Sequence, residues 1–126
     1  MMLVRTSVAP SKIHGLGLFA DEDIKAGTEV WRFDPSFDHS ISENLLASYP
    51  EVTRDYLRHY GYARPGTSDL GLDADHGRFM NHAENPNLES RPPEALFAKR
   101  EIKKGEEITM NYSDHLVPLE KLPKHS

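Results

Sequence analysis

The chain contains no cysteine among its 126 residues. It can therefore form neither disulfides nor a structural zinc site built on thiolates. It has no apolar run of membrane-spanning length, and residues 1–6 lack the basic and then apolar layout of a signal peptide. From these absences we expect an intracellular protein that does not contact a membrane.

The chain has no excess of positive charge, since 20 acidic residues against 15 lysines and arginines give a formal net charge of -5. A protein that binds nucleic acid through phosphates is usually basic, so we expect no direct nucleic-acid partner. Between Asp69 and Glu94 there are six acidic residues against two arginines. An acidic rim around a site would attract a basic peptide, whereas the alternative interpretation is an ordinary solubilising surface.

The length fits one domain, and the sequence reads as short strands separated by turn signals. The exception is the region 42–60, which has helical periodicity and a break at Pro50. Within it Val52, Tyr56, Leu57 and Tyr60 form a stripe that we expect to face the core. Strands are predicted at residues 2–8, 16–20, 29–33, 70–72, 95–100 and 108–112. The pattern predicts a mainly β domain with a short helical insertion.

Two phrases repeat the same turn chemistry. Residues 22–30 and 100–108 each carry charged residues and a glycine before a strand. The rest of the chain does not repeat, so this is not a solenoid.

A glycine pair, Gly15-Leu16-Gly17, precedes an apolar strand. Glycine allows the backbone to approach a ligand closely and to adopt conformations that other residues avoid. The segment lacks the third glycine of a dinucleotide fingerprint and the lysine of a phosphate loop. Taken alone, it is equally consistent with a plain tight turn.

The segment from Arg78 to Asn87 holds polar side chains between the apolar pair Phe79-Met80 and a proline. A metal site would use His76 and His82 with Asp73 or Asp75, but their spacing matches no closed zinc site. The alternative for His82 is a buried histidine with satisfied hydrogen bonds.

Tyr112 ends a strand-like run that begins after Gly105-Glu106-Glu107. A phenol at this position can donate or accept a hydrogen bond. Tyrosines in strands are more often packing residues, so Tyr112 alone does not identify a site.

The order of these motifs is more specific than any one of them. Gly15-Leu16-Gly17 is followed by Arg78-Phe79-x-Asn81-His82-x-x-x-Pro86-Asn87 and then by Gly105-Glu106-Glu107 with Tyr112. In this order they resemble the SET-domain protein-lysine methyltransferases over residues 3–115. Leu72-Asp73-Ala74 also resembles the phrase that precedes the asparagine-histidine motif in that family.

The resemblance implies a SET-type β-clip fold of small curved sheets with a C-terminal pseudoknot that brings the two late motifs together. We therefore expect a single SET domain over residues 1–115 and a short polar tail over residues 116–126.

The resemblance also implies that the cofactor is S-adenosyl-L-methionine and that the substrate is a lysine side chain of a basic, histone-like or other lysine-rich protein. Backbone groups would hold much of the cofactor, Tyr112 would be the catalytic tyrosine, and no metal is expected. A mid-chain tyrosine would complete the pocket, for which we choose Tyr60 over Tyr62. The cofactor-binding residues implied in this way are His14, Gly15, Leu16, Gly17, Tyr60, Arg78, Asn81 and His82.

The chain departs from the family in several places. It lacks the cysteine clusters that bind zinc and close the channel in many members, so only residues 116–126 or a second subunit of a homodimer would cap the site. Ala83 stands where serine is common, and Met110 where an aromatic is often found. The competing hypotheses are an inactive SET-like module that binds cofactor or peptide, and a related β-rich domain without methyl chemistry.

Overall fold

The computed structural model describes residues 1–112. The predicted domain end at residue 115 and the predicted tail over residues 116–126 lie outside the described residues. The described elements are β1 (Thr6–Pro10), β2 (Leu16–Ala20), β3 (Glu29–Arg32), β4 (His39–Ile41), α1 (Glu43–Ser48), α2 (Glu51–Tyr60), β5 (Tyr62–Ala63), β6 (Leu70–Leu72), a 3₁₀ helix (His76–Phe79), β7 (Asn81–His82), β8 (Leu88–Arg91), β9 (Ala95–Ala98) and β10 (Thr109–Met110).

These strands form four small sheets in the described part of the chain. The strands β1 and β2 make an antiparallel hairpin, and β3-β9-β8 and β4-β6-β5 are three-stranded antiparallel sheets. The fourth sheet pairs β7 with β10 in parallel. The predicted mainly β architecture is confirmed. The strands β4, β5, β7 and β8 lie outside the predicted ones; each has two to four residues, too few to show a clear alternating pattern.

The helical insertion consists of two helices that are separated at Pro50, as predicted. Ser42 caps α1 by accepting a hydrogen bond from the Leu45 amide at 3.2 Å, and α2 begins directly after Pro50. Both helices are too short and too polar to cross a membrane, and the described residues contain no helix that could do so.

The predicted core stripe of α2 is only half correct. Leu57 is buried and Tyr60 packs beside it, but Val52 is 76% exposed and Tyr56 43% exposed. From α2, only Leu57 and Tyr60 contribute to the second, smaller core, and both lie in the last two turns. The first turn of α2 therefore projects into solvent.

The main core lies between the hairpin and the β3-β9-β8 sheet. Its largest fully buried side chain is Trp31, and its other large, fully buried side chains are aliphatic: Leu18, Val30, Leu88, Ile102 and Ile108. Buried Tyr62, Met80 and Met110 complete it. The smaller core contains Leu46, Leu57, Leu70 and Leu72 and supports α1 and α2.

The two repeated phrases lie against each other. Ile24 and Ile102 exchange backbone hydrogen bonds of 2.7 and 2.8 Å, one in each direction. Gly27 and Gly105 each have a positive φ, 86° and 91°, at the turn that follows. The shared sequence pattern therefore reflects a pair of similar turns joined at their isoleucines.

Asn87 ties the loop after β7 to the segment that enters β10. Its side-chain amide donates to the Glu107 carbonyl at 2.9 Å, and its side-chain oxygen accepts from the Thr109 amide at 2.9 Å. The residue is 2% exposed. Together with the parallel pairing of β7 and β10, this brings the two late motifs together, as expected.

Replacing Asn87 with alanine should destabilise the fold by about 2–4 kcal/mol, because two hydrogen bonds are lost and two buried backbone groups remain unsatisfied. Urea unfolding followed by circular dichroism measures this. The exposed Asn85 provides the control, since its alanine variant should change the free energy of unfolding by less than about 0.5 kcal/mol. Equal effects of the two substitutions would contradict this role of Asn87.

Candidate active site

A cavity of about 500 Å³ lies between the glycine turn, the end of α2 and the late motifs. It brings together residues that are far apart in sequence and that the sequence singled out. Those that line it are His14, Gly15, Leu16, Tyr60, Tyr62, Arg78, Asn81 and Tyr112. Gly17 and His82, also predicted site residues, do not line this cavity.

Gly17 has a packing role instead. A Cβ atom at this position would lie 2.6 Å from Glu107 Oε2 and 2.9 Å from the Ser11 Cβ. Real Cβ atoms do not approach other atoms so closely, so only glycine lets β2 lie against Glu107. Gly15, by contrast, adopts a φ of 47° and makes the turn itself.

Asn81 connects the glycine turn to the C-terminal strand. Its Nδ2 donates to the backbone carbonyls of His14 at 3.1 Å and Leu16 at 3.2 Å, and to Glu107 Oε2 at 2.9 Å. The Glu107 carboxylate also accepts from the Ser11 hydroxyl, at 2.7 and 2.9 Å. Asn81 is 9% exposed, so its amide fixes the shape of one wall of the cavity.

Tyr112 is held at both ends. Its hydroxyl donates to the Met80 carbonyl at 2.8 Å, and its backbone amide donates to His82 Nδ1 at 3.1 Å. Burial raises the pKa of the phenol above its usual value. The hydroxyl therefore remains protonated at neutral pH and points a fixed dipole along the cavity wall.

His82 lies behind Tyr112 rather than in the cavity lining. The two rings are 5.1 Å apart, and His82 Nε2 lies 3.4 Å from a carboxylate oxygen of the exposed Glu84. His82 thus orients the tyrosine through Nδ1. The alternative of a fully buried histidine does not describe it, because its side chain is 37% exposed.

The sequence analysis chose Tyr60 over Tyr62 as the tyrosine that completes the pocket. In the structure both tyrosines line the cavity. Tyr60 ends α2 and packs its ring edge-on against Phe79, 5.5 Å away. Tyr62 lies on β5, donates its hydroxyl to Glu94 at 2.8 Å, and contacts the Trp31 ring at 5.8 Å. Burial, assisted by the Glu94 charge, raises the pKa of Tyr62.

Arg78 braces the cavity from the 3₁₀ helix. Its guanidinium donates to the Asp73 carbonyl at 3.1 and 2.9 Å, and a further nitrogen contacts the Tyr56 hydroxyl. Arg78 therefore links α2 to the loop before the 3₁₀ helix.

Several cavity residues were not predicted from the sequence as site residues. They include Trp31, Asp73, Phe79, Met80 and Leu96. Trp31 is the single tryptophan of the chain and sits in a predicted strand, which gives no sign of a site. Asp73 belongs to the family phrase, to the acidic segment and to a possible ligand set in the sequence, and none of these predicts its place in the cavity wall.

Most of the acidic segment lies outside the cavity lining, which favours an ordinary solubilising surface over an acidic rim. Of the six acids only Asp73 lines the cavity. Glu94 is paired with Arg64 at 3.0 Å, Glu89 with Arg91 at 2.8 Å, and Asp69 accepts from the Ser40 hydroxyl. The acids are dispersed because most of them satisfy local partners.

A metal site over His76, His82, Asp73 and Asp75 is not assembled. His76 Nδ1 lies 3.2 Å from the Thr6 hydroxyl, whereas His82 faces Tyr112. Asp75 caps the 3₁₀ helix and accepts from the Met2 amide. Within residues 1–112, no group of three or more histidines or acids is arranged to hold a metal ion.

Known proteins are similar to this chain in sequence and in architecture. The family model described as the SET domain matches residues 15–113. The histone-lysine N-methyltransferase of Candida albicans described as H3 lysine-36 specific is 30% identical over 120 residues, which cover 86% of this chain and 14% of that protein. Histone-lysine N-methyltransferase ASHH3 of Arabidopsis thaliana is 30% identical over 115 residues, which cover 78% of this chain and 29% of that protein.

Among solved structures, a humanized mutant of the Chaetomium thermophilum Polycomb Repressive Complex 2 bound to an inhibitor matches with a TM-score of 0.65 and 26% identity. The match covers 96% of this chain and 17% of that one. The chain thus spans only a small part of these relatives. Its sequence and its fold agree in their assignment, and the chain belongs to the SET-domain family.

Proposed function

We propose that this chain is a protein-lysine N-methyltransferase that uses S-adenosyl-L-methionine. The observation that carries the proposal is the single cavity in which the glycine turn, Asn81 and the fixed hydroxyl of Tyr112 meet. The names of the relatives support the same reaction, since they are histone-lysine N-methyltransferases.

The cavity suits a cofactor of this size and chemistry. Small-molecule sites commonly have volumes of about 300–1,000 Å³ and combine apolar walls with a few polar groups. This cavity has aromatic walls in Tyr60 and Phe79, cationic groups in Arg58 and Arg78, and the backbone of the turn at Gly15. Backbone groups of His14, Gly15, Leu16 and Asn81 would hold the cofactor, with Gly17 and His82 shaping the site from behind.

When bound, the cofactor supplies a methyl group on a positively charged sulfur. Methyl transfer to an amine is an in-line displacement, so the main task of the protein is alignment. Tyr112 would orient the lysine nitrogen with its hydroxyl, whose position is set by the Met80 carbonyl and by His82. The lysine must also arrive without its proton, because its ordinary pKa is about 10.4.

The substrate in this proposal is a lysine of a basic, histone-like or other lysine-rich protein at an intracellular location. Met110 lines the cavity two residues before Tyr112, so the wall there is flexible and without a hydroxyl. A homodimer that helps to close the site is part of the proposal, and sedimentation at several concentrations would test it.

The function itself is tested with purified protein, tritiated S-adenosyl-L-methionine and a mixture of basic proteins. Labelled lysines identified by mass spectrometry would support the proposal. Calorimetric binding of the cofactor without any transfer would indicate the inactive module instead. Neither binding nor transfer would point to a β-rich domain without methyl chemistry.

Replacing Tyr112 with phenylalanine should lower the rate of methyl transfer about 100-fold or more, because misplacement of reacting groups by about 1 Å costs that much. The affinity for the cofactor, measured by titration calorimetry, should change little. Tyr49 is the matched control, since it packs against the smaller core and Tyr49→Phe should retain activity. Full turnover of the Tyr112 variant would exclude this role.

Replacing Asn81 with aspartate should cost about 2–4 kcal/mol of stability and weaken cofactor binding. The change places a carboxylate against the His14 and Leu16 carbonyls and the Glu107 carboxylate, where an amide donor is needed. Chemical unfolding and calorimetry measure the two effects. Asn85→Asp adds the same charge at an exposed site and should change neither the stability nor the cofactor affinity. A similar loss in this variant would contradict the role assigned to Asn81.

A further inference from the structure

Asp73 is a buried carboxylate in the cavity wall. The residue is 6% exposed and lines the cavity directly before the 3₁₀ helix. Its Oδ1 accepts a hydrogen bond from the Trp31 indole at 3.2 Å. Within residues 1–112, no other side chain donates to this carboxylate, so a single neutral donor supports its charge.

The nearby cations are directed elsewhere. The Arg78 guanidinium donates to the backbone carbonyl of Asp73 rather than to its carboxylate. The amino group of Met1 pairs with Asp38 at 2.8 Å. Arg58, the other cation of the cavity lining, pairs with Asp55 at 2.9 Å. Asp73 therefore faces the cavity without an ion-pair partner among the described residues.

The surroundings of Asp73 disfavour the charged form of its carboxyl group. The pKa of Asp73 is raised to about 7: burial raises it most, the amino group of Met1 lowers it, the carboxylates of Asp38 and Asp75 raise it, and the Trp31 hydrogen bond lowers it. Tyr62 faces it from β5 and remains neutral. A buried carboxylate in a cavity, with a pKa shifted in this way, is a candidate for function.

The surrounding surface suits an alkylammonium ion. Trp31 and Tyr62 meet edge to face at 80°, and both line the cavity together with Asp73 and Tyr112. Aromatic faces attract ammonium groups, and a charged hydrogen bond to a carboxylate is stronger than a neutral one.

We propose that Asp73 receives the substrate lysine: its carboxylate binds the ammonium group inside the cavity and accepts a proton from it. This inference rests on the proposed methyltransferase function and names the residue that prepares its substrate. One N–H bond of the lysine breaks, and an O–H bond forms on Asp73. The products are a neutral amine and a neutral carboxylic acid. A low-dielectric cavity favours this neutral pair over two charges. After transfer, the proton leaves Asp73 for water when the product departs.

The test compares the binding of two capped pentapeptides, Ala-Ala-Lys-Ala-Ala and its norleucine counterpart, in the presence of S-adenosylhomocysteine. Norleucine has the same chain length without the amine. The wild-type protein should bind the lysine peptide about 10-fold or more tightly than the norleucine peptide, as for a hydrogen bond to a charged group. In Asp73→Asn the ratio should fall to near one, and turnover should fall with it.

The thermal stability of Asp73→Asn provides a second readout. If Asp73 only stabilised the fold, its removal would lower the Tm, whereas the proposal expects the Tm to rise. Because the pKa of Asp73 is higher in the folded than in the unfolded protein, the folded state binds more protons between about pH 4 and pH 7. Stability is therefore lost as the pH rises through this window. Asp73→Asn keeps the acceptor for Trp31 and removes the charge, so its Tm should exceed that of the wild type at pH 8 and the difference should shrink at pH 4.

Asp69→Asn is the matched control, since it removes the same charge from a residue that contacts Ser40 outside the cavity. It should retain the preference for lysine. A wild-type protein without that preference, or an unchanged ratio in Asp73→Asn, would overturn the proposal. So would a loss of affinity for S-adenosyl-L-methionine relative to S-adenosylhomocysteine, because Asp73 would then serve the sulfonium. Failure of the proposed methyltransferase function can be distinguished from failure of the Asp73 proposal, because in that case the wild-type protein transfers no methyl group to any protein.

Discussion

The side-chain amide of Asn81 is the interaction on which the rest of the site depends. One NH₂ group reaches two carbonyls of the glycine turn and the carboxylate of Glu107. These groups belong to the turn before β2, the start of β2 and the segment before β10, and Asn81 itself lies on β7. Backbone hydrogen bonds between Ala20 and Glu106 and between Ile108 and Leu18 also join β2 to that segment. A side chain with one donor could not hold all the acceptors that Asn81 reaches. The placement of Gly17 against Glu107, which excludes any Cβ, shows how closely these segments approach.

The polar residues of the site have two kinds of role: Asn81 and His82 shape the cavity, and Tyr112 faces it. Asn81 and His82 act largely on the protein itself, the first on the turn and the second on the Tyr112 backbone. Tyr112 faces the cavity, and its hydroxyl is fixed by a carbonyl rather than by a base. Such an arrangement suits a reaction that depends on alignment more than on proton transfer by the tyrosine.

Local signals in the sequence predict what is local in the structure. Pro50 separates α1 from α2, and the strands Leu16–Ala20 and Leu70–Leu72 match their predicted bounds. Motif order also predicts a part of the cavity lining, namely the glycine turn, Asn81 and Tyr112. The contacts that were missed are long-range: Trp31 meets Asp73 across 42 positions, and Tyr62 meets Glu94 across 32. A strand tryptophan or a loop acid carries no local mark of such a partner, and an acidic segment does not reveal which of its charges are already paired.

Two buried carboxylates on either side of Tyr62 show why the difference between paired and unpaired acids matters. Glu94 is held by the Arg64 guanidinium and by the Tyr62 hydroxyl, so its charge is fully compensated within the fold. Among the described residues, Asp73 accepts a side-chain hydrogen bond only from the indole of Trp31, and the charge of the Met1 amino group is opposed by the like charges of Asp38 and Asp75. Burial of a charge is unfavourable unless it is paired, and removing such a charge usually stabilises a fold. A domain with a small core that nevertheless keeps a carboxylate without an ion-pair partner at its cavity directs that charge toward a cation from outside the fold, and under the proposed function that cation is the ammonium group of the substrate lysine before it loses its proton.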